Sequence, residues 1–282
     1  MTLKKCLTRL FSKLFLNMWV IGVPACLGTV SVFSYTQEFA SITSEVRNGM
    51  VSPTSYYLAN ATIQVPAMFF LGFCALLPQY LFVDWTWSNI GLMLVVYSTT
   101  LLAFEAIAQL IAAVIENALL GMMFYMNIWF TCFLFAGILV PVEDIIWPLR
   151  AFCYSFPLRW CFRSMAYLEF DENFSGAEFC DNAGEPGCFF HYESSTSPML
   201  PGWSCVNDES SRTDAEFVCF GKTGAQVIDT LGVSYSTLSS ENTVAVDFLI
   251  NAAIYFGAKL CLLVALHYRT KKHANISEVI SL

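Results

Sequence analysis

IGLMLVVYSTTLLAFEAIAQLIAAV, Ile90–Val114, decides the fold class, together with ALLGMMFYMNIWFTCFLFAGILV, Ala118–Val140, which follows after only Ile115, Glu116 and Asn117. A bilayer's hydrocarbon core is about 30 Å thick and is crossed by about 20 apolar residues at a helical rise of 1.5 Å each. Both stretches are long enough, and the pair carries a single charge, Glu105. Backbone amides in lipid find partners only inside a helix or a closed barrel, so each stretch reads as a helix. The very short connection makes the two helices antiparallel neighbours.

Working outward, three more stretches qualify: Leu14–Tyr35, Ile63–Val83 and Val244–Tyr268. The expectation is an all-α membrane protein, a polytopic helical bundle with five spans. Composition agrees. Of 282 residues, 56% are hydrophobic and only 13% charged, and mean hydropathy is +0.58; a soluble domain carries about 25% charged residues. Pro24, Pro66 and Pro78 fall inside the apolar runs and should bend or end helices locally. Trp85 and Trp87, in the short turn at Asp84–Ser88, mark a membrane interface.

The net charge of −8 is local. Acidic residues concentrate between Met165 and Thr243, where Arg212 and Lys222 are the only cations, so a solvated loop accounts for it and no basic stripe points to nucleic acid. Cys180, Cys188, Cys205 and Cys219 lie in this polar stretch. Four cysteines there read as two disulfides in an oxidising compartment, with three pairings possible. Their spacing is too loose for a zinc ribbon, and no metal site is expected.

The chain divides into a basic N-terminal segment at 1–13, helices at 14–168 with a polar cytosolic loop at 36–62, a cysteine-bearing loop at 169–243, a last span at 244–268 and a tail at 269–282. The stretch 141–166, aromatic and interrupted by Pro148 and Pro157, reads as a re-entrant element. Arg269, Lys271 and Lys272 place the tail in the cytosol by the positive-inside rule, which puts the cysteine loop outside. Five spans then leave Lys4, Lys5, Arg9 and Lys13 on the outer side, against that rule. Lys259 should snorkel to the cytosolic interface. Asn173-Phe-Ser175 is a glycosylation sequon on the external side.

The order of motifs resembles the membrane domain of the G subfamily of ATP-binding-cassette transporters, the white or pleiotropic drug resistance type, whose membrane domain is of the ABC-2 kind. Glu45-Val-Arg-Asn-Gly-Met50, Tyr56-Tyr-Leu-Ala59 and Ile63-Gln-Val-Pro66 resemble its cytosolic coupling loop. Phe135-Ala-Gly137 is similar to its Phe-Ser-Gly. Pro141, Trp147 and Tyr154-Ser-Phe-Pro-Leu-Arg-Trp160 resemble its re-entrant element, Glu169-Phe170 the start of its external loop, and Gly224–Val233 the approach to its last span. Similarity runs from about Asn17 to Lys272. The resemblance implies six spans, with the first span here the second of the family. It also implies an N-terminal truncation that removes one span and the upstream ATPase domain, which resolves the charge conflict.

The resemblance further implies a substrate pathway at a dimer axis. Val23, Cys26 and Val30 would line it from one helix, and Met126, Trp129, Phe130 and Phe133 from another. Ile138 and Leu139 would be an apolar gate, closing by dewetting. Glu45, Arg47, Tyr56 and Glu116 would touch the ATPase. Glu105 is costly in mid-span unless partnered; Gln109 and Asn127 are the expected partners.

No catalytic residue is expected, and this chain should not be an enzyme. A phosphate loop needs G-x-x-x-x-G-K-[ST], whereas Gly221-Lys222-Thr223 has Glu216 at the first glycine position. No cofactor is expected on this chain; ATP and Mg would sit on a partner nucleotide-binding domain, normally fused upstream. The remaining partners are a second membrane domain, as homo- or heterodimer, and lipids of the plasma membrane or an endomembrane. The functional expectation is an ATP-driven exporter of lipid, sterol or amphipathic molecules. Alternatives are a separately encoded permease subunit with a stand-alone ATPase, or a non-transporting receptor or scaffold with a cysteine-rich ectodomain.

Overall fold

The computed structural model describes residues 3–82, 85, 87–137, 142, 145–170, 190–192, 217–219, 228, 232, 235, 237–238 and 241–280. Among the described residues, four helical stretches are long and apolar enough to cross a membrane: Lys13–Val46, Pro53–Phe82, Trp87–Val114 and Val244–Thr270. The expected fourth span is a shorter helix, Ala118–Leu134, of 17 residues or roughly 25 Å.

The chain opens with α1 (Leu3–Cys26) and α2 (Gly28–Arg47), one rod interrupted at Leu27. Just before the interruption stands Pro24, which lacks the N–H that Val20's carbonyl would accept in a regular helix. The polar stretch at 36–62 is not the loop expected: α2 runs on to Arg47 and α3 (Pro53–Phe82) begins six residues later. The hydroxyls that suggested a loop donate to their own helix instead. Thr36 donates to Val32 O at 2.7 Å, Thr43 to Phe39 O at 2.6 Å and Ser44 to Ser41 O at 2.6 Å. Tyr35, Phe39 and Tyr56 then pack α2 onto α3. Gly49 supplies the left-handed φ of +73° that ends α2. Ser52 Oγ accepts from Ser55 N at 3.1 Å, capping α3 with Pro53 in its first turn.

α4 (Ile90–Val114) is the axis of the bundle. In its membrane-length window 67% of residues are buried, against 17% for α3 and 28% for the last helix. Ala103, Ala106, Ala108, Ala112 and Ala113 are buried along it and let neighbours approach closely. Asn117 caps α5 (Ala118–Leu134), its side chain accepting from Leu119 N and Leu120 N at 3.0 and 3.3 Å. α5 stops at a turn where Gly137 has φ +85°.

Two short helices follow, α6 (Leu149–Ser155) and the largely buried α7 (Pro157–Phe170), separated by extended Phe156. They occupy the stretch expected to be re-entrant. Residues Phe190–Tyr192 (β1) and Phe217–Cys219 (β2) pair antiparallel, Phe190 opposite Cys219. The last helix, α8 (Val244–Ile280), packs along α4, where Tyr255 meets Leu102, Ala103 and Ala106.

Lys13 does not belong to a solvated basic segment. It is buried and its ammonium donates to Glu169 at 2.6 Å. Paired this way, it loses its value as an orientation signal, which accounts for part of the charge conflict at the N-terminus.

Candidate functional site

Four helices meet around a buried polar cluster, and the sequence explains why each contributes. α4 carries Glu105 and Gln109 one turn apart, on the face that α8 and the α2–α3 pair cover. Glu105 is 6% exposed and Gln109 1%. α8 brings Lys259, 1% exposed, whose ammonium donates to Gln64 Oε1 at 2.5 Å and Gln109 Oε1 at 2.6 Å. Gln109 Nε2 in turn donates to Asn60 Oδ1 at 2.9 Å. Ser31, Tyr35 and Gln64 surround the Glu105 carboxylate, and Lys259 supplies the nearest opposite charge. Nearer the hairpin tip, Tyr56 donates to Glu38 Oε1 at 2.7 Å. The result is a polar chain from Glu38 and Tyr56, on the α2–α3 hairpin, to Lys259 and Glu105 inside the bundle.

Gln109 stands one turn from Glu105 but bonds Lys259 and Asn60, and Asn127 is not part of the cluster. It faces outward and donates to Met123 O at 2.8 Å, a bond within its own helix turn. Lys259 does not snorkel; the amides of Gln64 and Gln109 solvate it in place. The sequence places Glu38, Asn60 and Gln64 in or beside the polar 36–62 stretch, not in a buried cluster. Asn60 and Gln64 stand four residues apart, on one face of α3, and that spacing was the available signal.

The expected pathway residues split in two. Val23, Val30, Met126 and Phe130 lie exposed on neighbouring faces of α1, α2 and α5, Val30 at 64% and Phe130 at 54%. Cys26 is half-buried beside them. Trp129 and Phe133 instead turn inward. Phe133 is 7% exposed and stacks on Trp129 at 5.5 Å, while Trp129 Nε1 donates to Gly22 O at 2.9 Å. A Cβ at Gly22 would stand 2.6 Å from the Phe133 ring, so glycine is needed for this approach. Between the α1–α2 break and α3, α4 and α5 lies a cavity of about 60 Å³, lined by Ser31, Leu71, Glu105 and Tyr125 among others.

Of the expected coupling residues, Tyr56 is engaged with Glu38 and Glu45 lies at the end of α2. Arg47 is the last residue of that helix, and Glu116 is exposed in the α4–α5 turn. The gate pair Ile138 and Leu139, the sequon Asn173, and Cys180, Cys188 and Cys205 lie outside the described residues. Cys219 is placed by its backbone pairing in β2. Among the described residues no cluster of His, Cys, Asp or Glu could hold a metal ion.

The opposite end of the bundle is tied by ion pairs. Asp247, in the first turn of α8, is fully buried; Arg163 Nε donates to it at 3.0 Å, Arg163 Nη2 adds a second bond, and Ser164 Oγ and Thr243 Oγ1 donate at 2.8 and 3.3 Å. Asn89 Nδ2 donates to Leu168 O at 2.9 Å, and Thr237 Oγ1 donates to the carbonyls of Ala136 and Gly137, both at 3.1 Å.

Membrane-length helices packed around a buried polar core define an integral, multi-pass membrane protein. The chain belongs to the ABC-2 type transporter family, whose profile matches residues 10–170, more than half its length. Membership makes it a permease component that works with an ATP-binding-cassette nucleotide-binding component. A search among curated proteins finds no match to the chain.

Proposed function

We propose that the chain is the membrane-spanning part of an exporter of the G-subfamily type, and that it moves a lipid, sterol or other amphipathic molecule outward. The observation that carries the reading is the α2–α3 hairpin. Lys13–Val46 spans 34 residues and Pro53–Phe82 spans 30, or roughly 50 and 45 Å against a hydrocarbon core of about 30 Å. Both helices overshoot the bilayer together, and the polar chain from Glu38 through Asn60 and Gln109 to Lys259 joins the projecting part to the interior. A nucleotide-binding domain that closes on ATP and presses the hairpin tip would move α2 and α3 against α4 and α8. The exposed apolar faces at Val23, Val30, Met126 and Phe130 would then close or open around substrate against a second membrane domain. Stacking and burial, with few fixed polar contacts, suit flat apolar cargo. ATP and Mg would sit on that nucleotide-binding domain.

The test is reconstitution in lipid vesicles with the nucleotide-binding component, followed by ATP-dependent movement of a fluorescent sterol or phospholipid. The expected result is outward movement that stops when Lys259 is replaced by Met. Movement that ignores ATP, or none with either lipid class, would refute the proposal.

A further inference from the structure

Val20, Gly22 and Ala25 are neighbours along the interrupted part of the first span, and each carbonyl receives a side-chain donor from another helix. Tyr97 OH donates to Val20 O at 2.8 Å, Trp129 Nε1 to Gly22 O at 2.9 Å and Tyr125 OH to Ala25 O at 2.6 Å. The first follows directly from sequence: residue 24, four beyond Val20, is proline and has no N–H to give. Leu27 N reaches back only to Pro24 O, at 3.1 Å, and helix resumes at Gly28. Tyr97 and Tyr125 are fully buried, so their hydroxyls need these acceptors as much as the carbonyls need them. Gly28 is where the chain can come this close: a Cβ there would lie 2.2 Å from Tyr125 OH.

We propose that Pro24–Gly28 is a hinge, and that Tyr97 of α4 with Tyr125 and Trp129 of α5 are positioning residues that set its angle. Proline breaks in long helices bend where the freed carbonyls find other partners. On one side of the hinge, α1 is fixed by the Lys13–Glu169 ion pair. On the other, α2 runs out into the projecting hairpin. Val23 and Val30, on the exposed apolar face, stand on opposite sides of it, so a change of angle alters the wall they form. This consequence for transport rests on the proposed function; the hinge itself does not.

The test compares amide hydrogen exchange over residues 25–31 in the full chain in lipid nanodiscs, with Tyr97→Phe, Tyr125→Phe and Trp129→Phe. Each variant keeps a ring in place and removes one donor. Exchange should quicken about fivefold in this segment, the factor one ordinary hydrogen bond is worth. Pro24→Ala restores an N–H to Val20 O, so in that background Tyr97→Phe should have a smaller effect, while Tyr125→Phe should keep its own. An equal effect of Tyr97→Phe in both backgrounds, or no segment-specific change in any variant, overturns the hinge. In the assembled transporter, Pro24→Ala should slow ATP-driven transport. An undiminished rate with suppressed exchange overturns the link to transport. Absence of ATP-driven transport in the unaltered protein, with the exchange pattern intact, refutes the exporter reading and leaves the hinge standing.

Discussion

The two ends of the bundle bury charge in opposite ways. At the end where α7 meets the start of α8, two buried charges each have an opposite charge against them: Lys13 on Glu169, and Asp247, which also receives two hydroxyls, on Arg163. At the hairpin end, Lys259 and Glu105 feel each other's charge without a direct ion pair: Lys259 rests on the oxygens of two neutral amides, and Glu105 is ringed by a serine, a tyrosine and a glutamine. An opposed pair in a dry site has one good geometry, and losing a partner is expensive. Amides can turn, exchange donors and follow a sliding helix. The first end is a clamp and the second is an adjustable joint, which suits a machine that is pushed from the hairpin side.

The contrast breaks most directly at Asp247. Asp247→Ala strands Arg163 and should cost about 3 kcal/mol, read as a large fall in thermal stability in detergent. Gly137→Ala comes next. At φ +85° with a Cβ only 1.9 Å from Thr237 Oγ1, it should cost roughly 2 kcal/mol by strain and overlap, detected in the same melts.

Lys259→Met sharpens the comparison from the other side. The amides it leaves can re-pair, but Glu105 loses the opposite charge near it, so the cost should be about 2 kcal/mol, below that of Asp247→Ala, while ATP-driven transport is lost. A Lys259→Met variant as unstable as Asp247→Ala would erase the distinction between clamp and joint. The smallest effect is expected at Phe130, half exposed on the proposed pathway. Phe130→Ala should leave stability within about 0.5 kcal/mol but raise the KM for a bulky substrate in the transport assay.

Much of this architecture was legible because length and apolarity are one-dimensional properties. Ile90–Val114 coincides with α4 residue for residue, and the apolar run from Val244 opens α8 at the residue named. The 36–62 stretch was misread because serine, threonine and glutamine in the aqueous part of a long helix have the composition of a loop; what makes them helical is an aromatic contact between two helices. The polar cluster was half legible. Glu105 and Gln109 announce themselves by standing in an apolar run, but choosing Gln64 and Lys259 over Asn127 depends on which face of each helix turns inward. That is settled by packing across more than a hundred residues of sequence. Trp129 and Phe133 were misassigned to an open wall for the same reason: spacing put them on one stripe with Met126 and Phe130, and only the approach of Gly22 turned them into the core.

The most direct test of the account concerns the tip of the hairpin, where Met50 is 74% exposed in the turn between α2 and α3. A photocrosslinking amino acid placed at Met50, in native membranes containing the nucleotide-binding component, should capture that component. The same label at exposed Trp147, beyond the end of α5, should not. Capture from Trp147 and not from Met50 would put the ATP-driven stroke at the wrong end of the bundle and contradict the account.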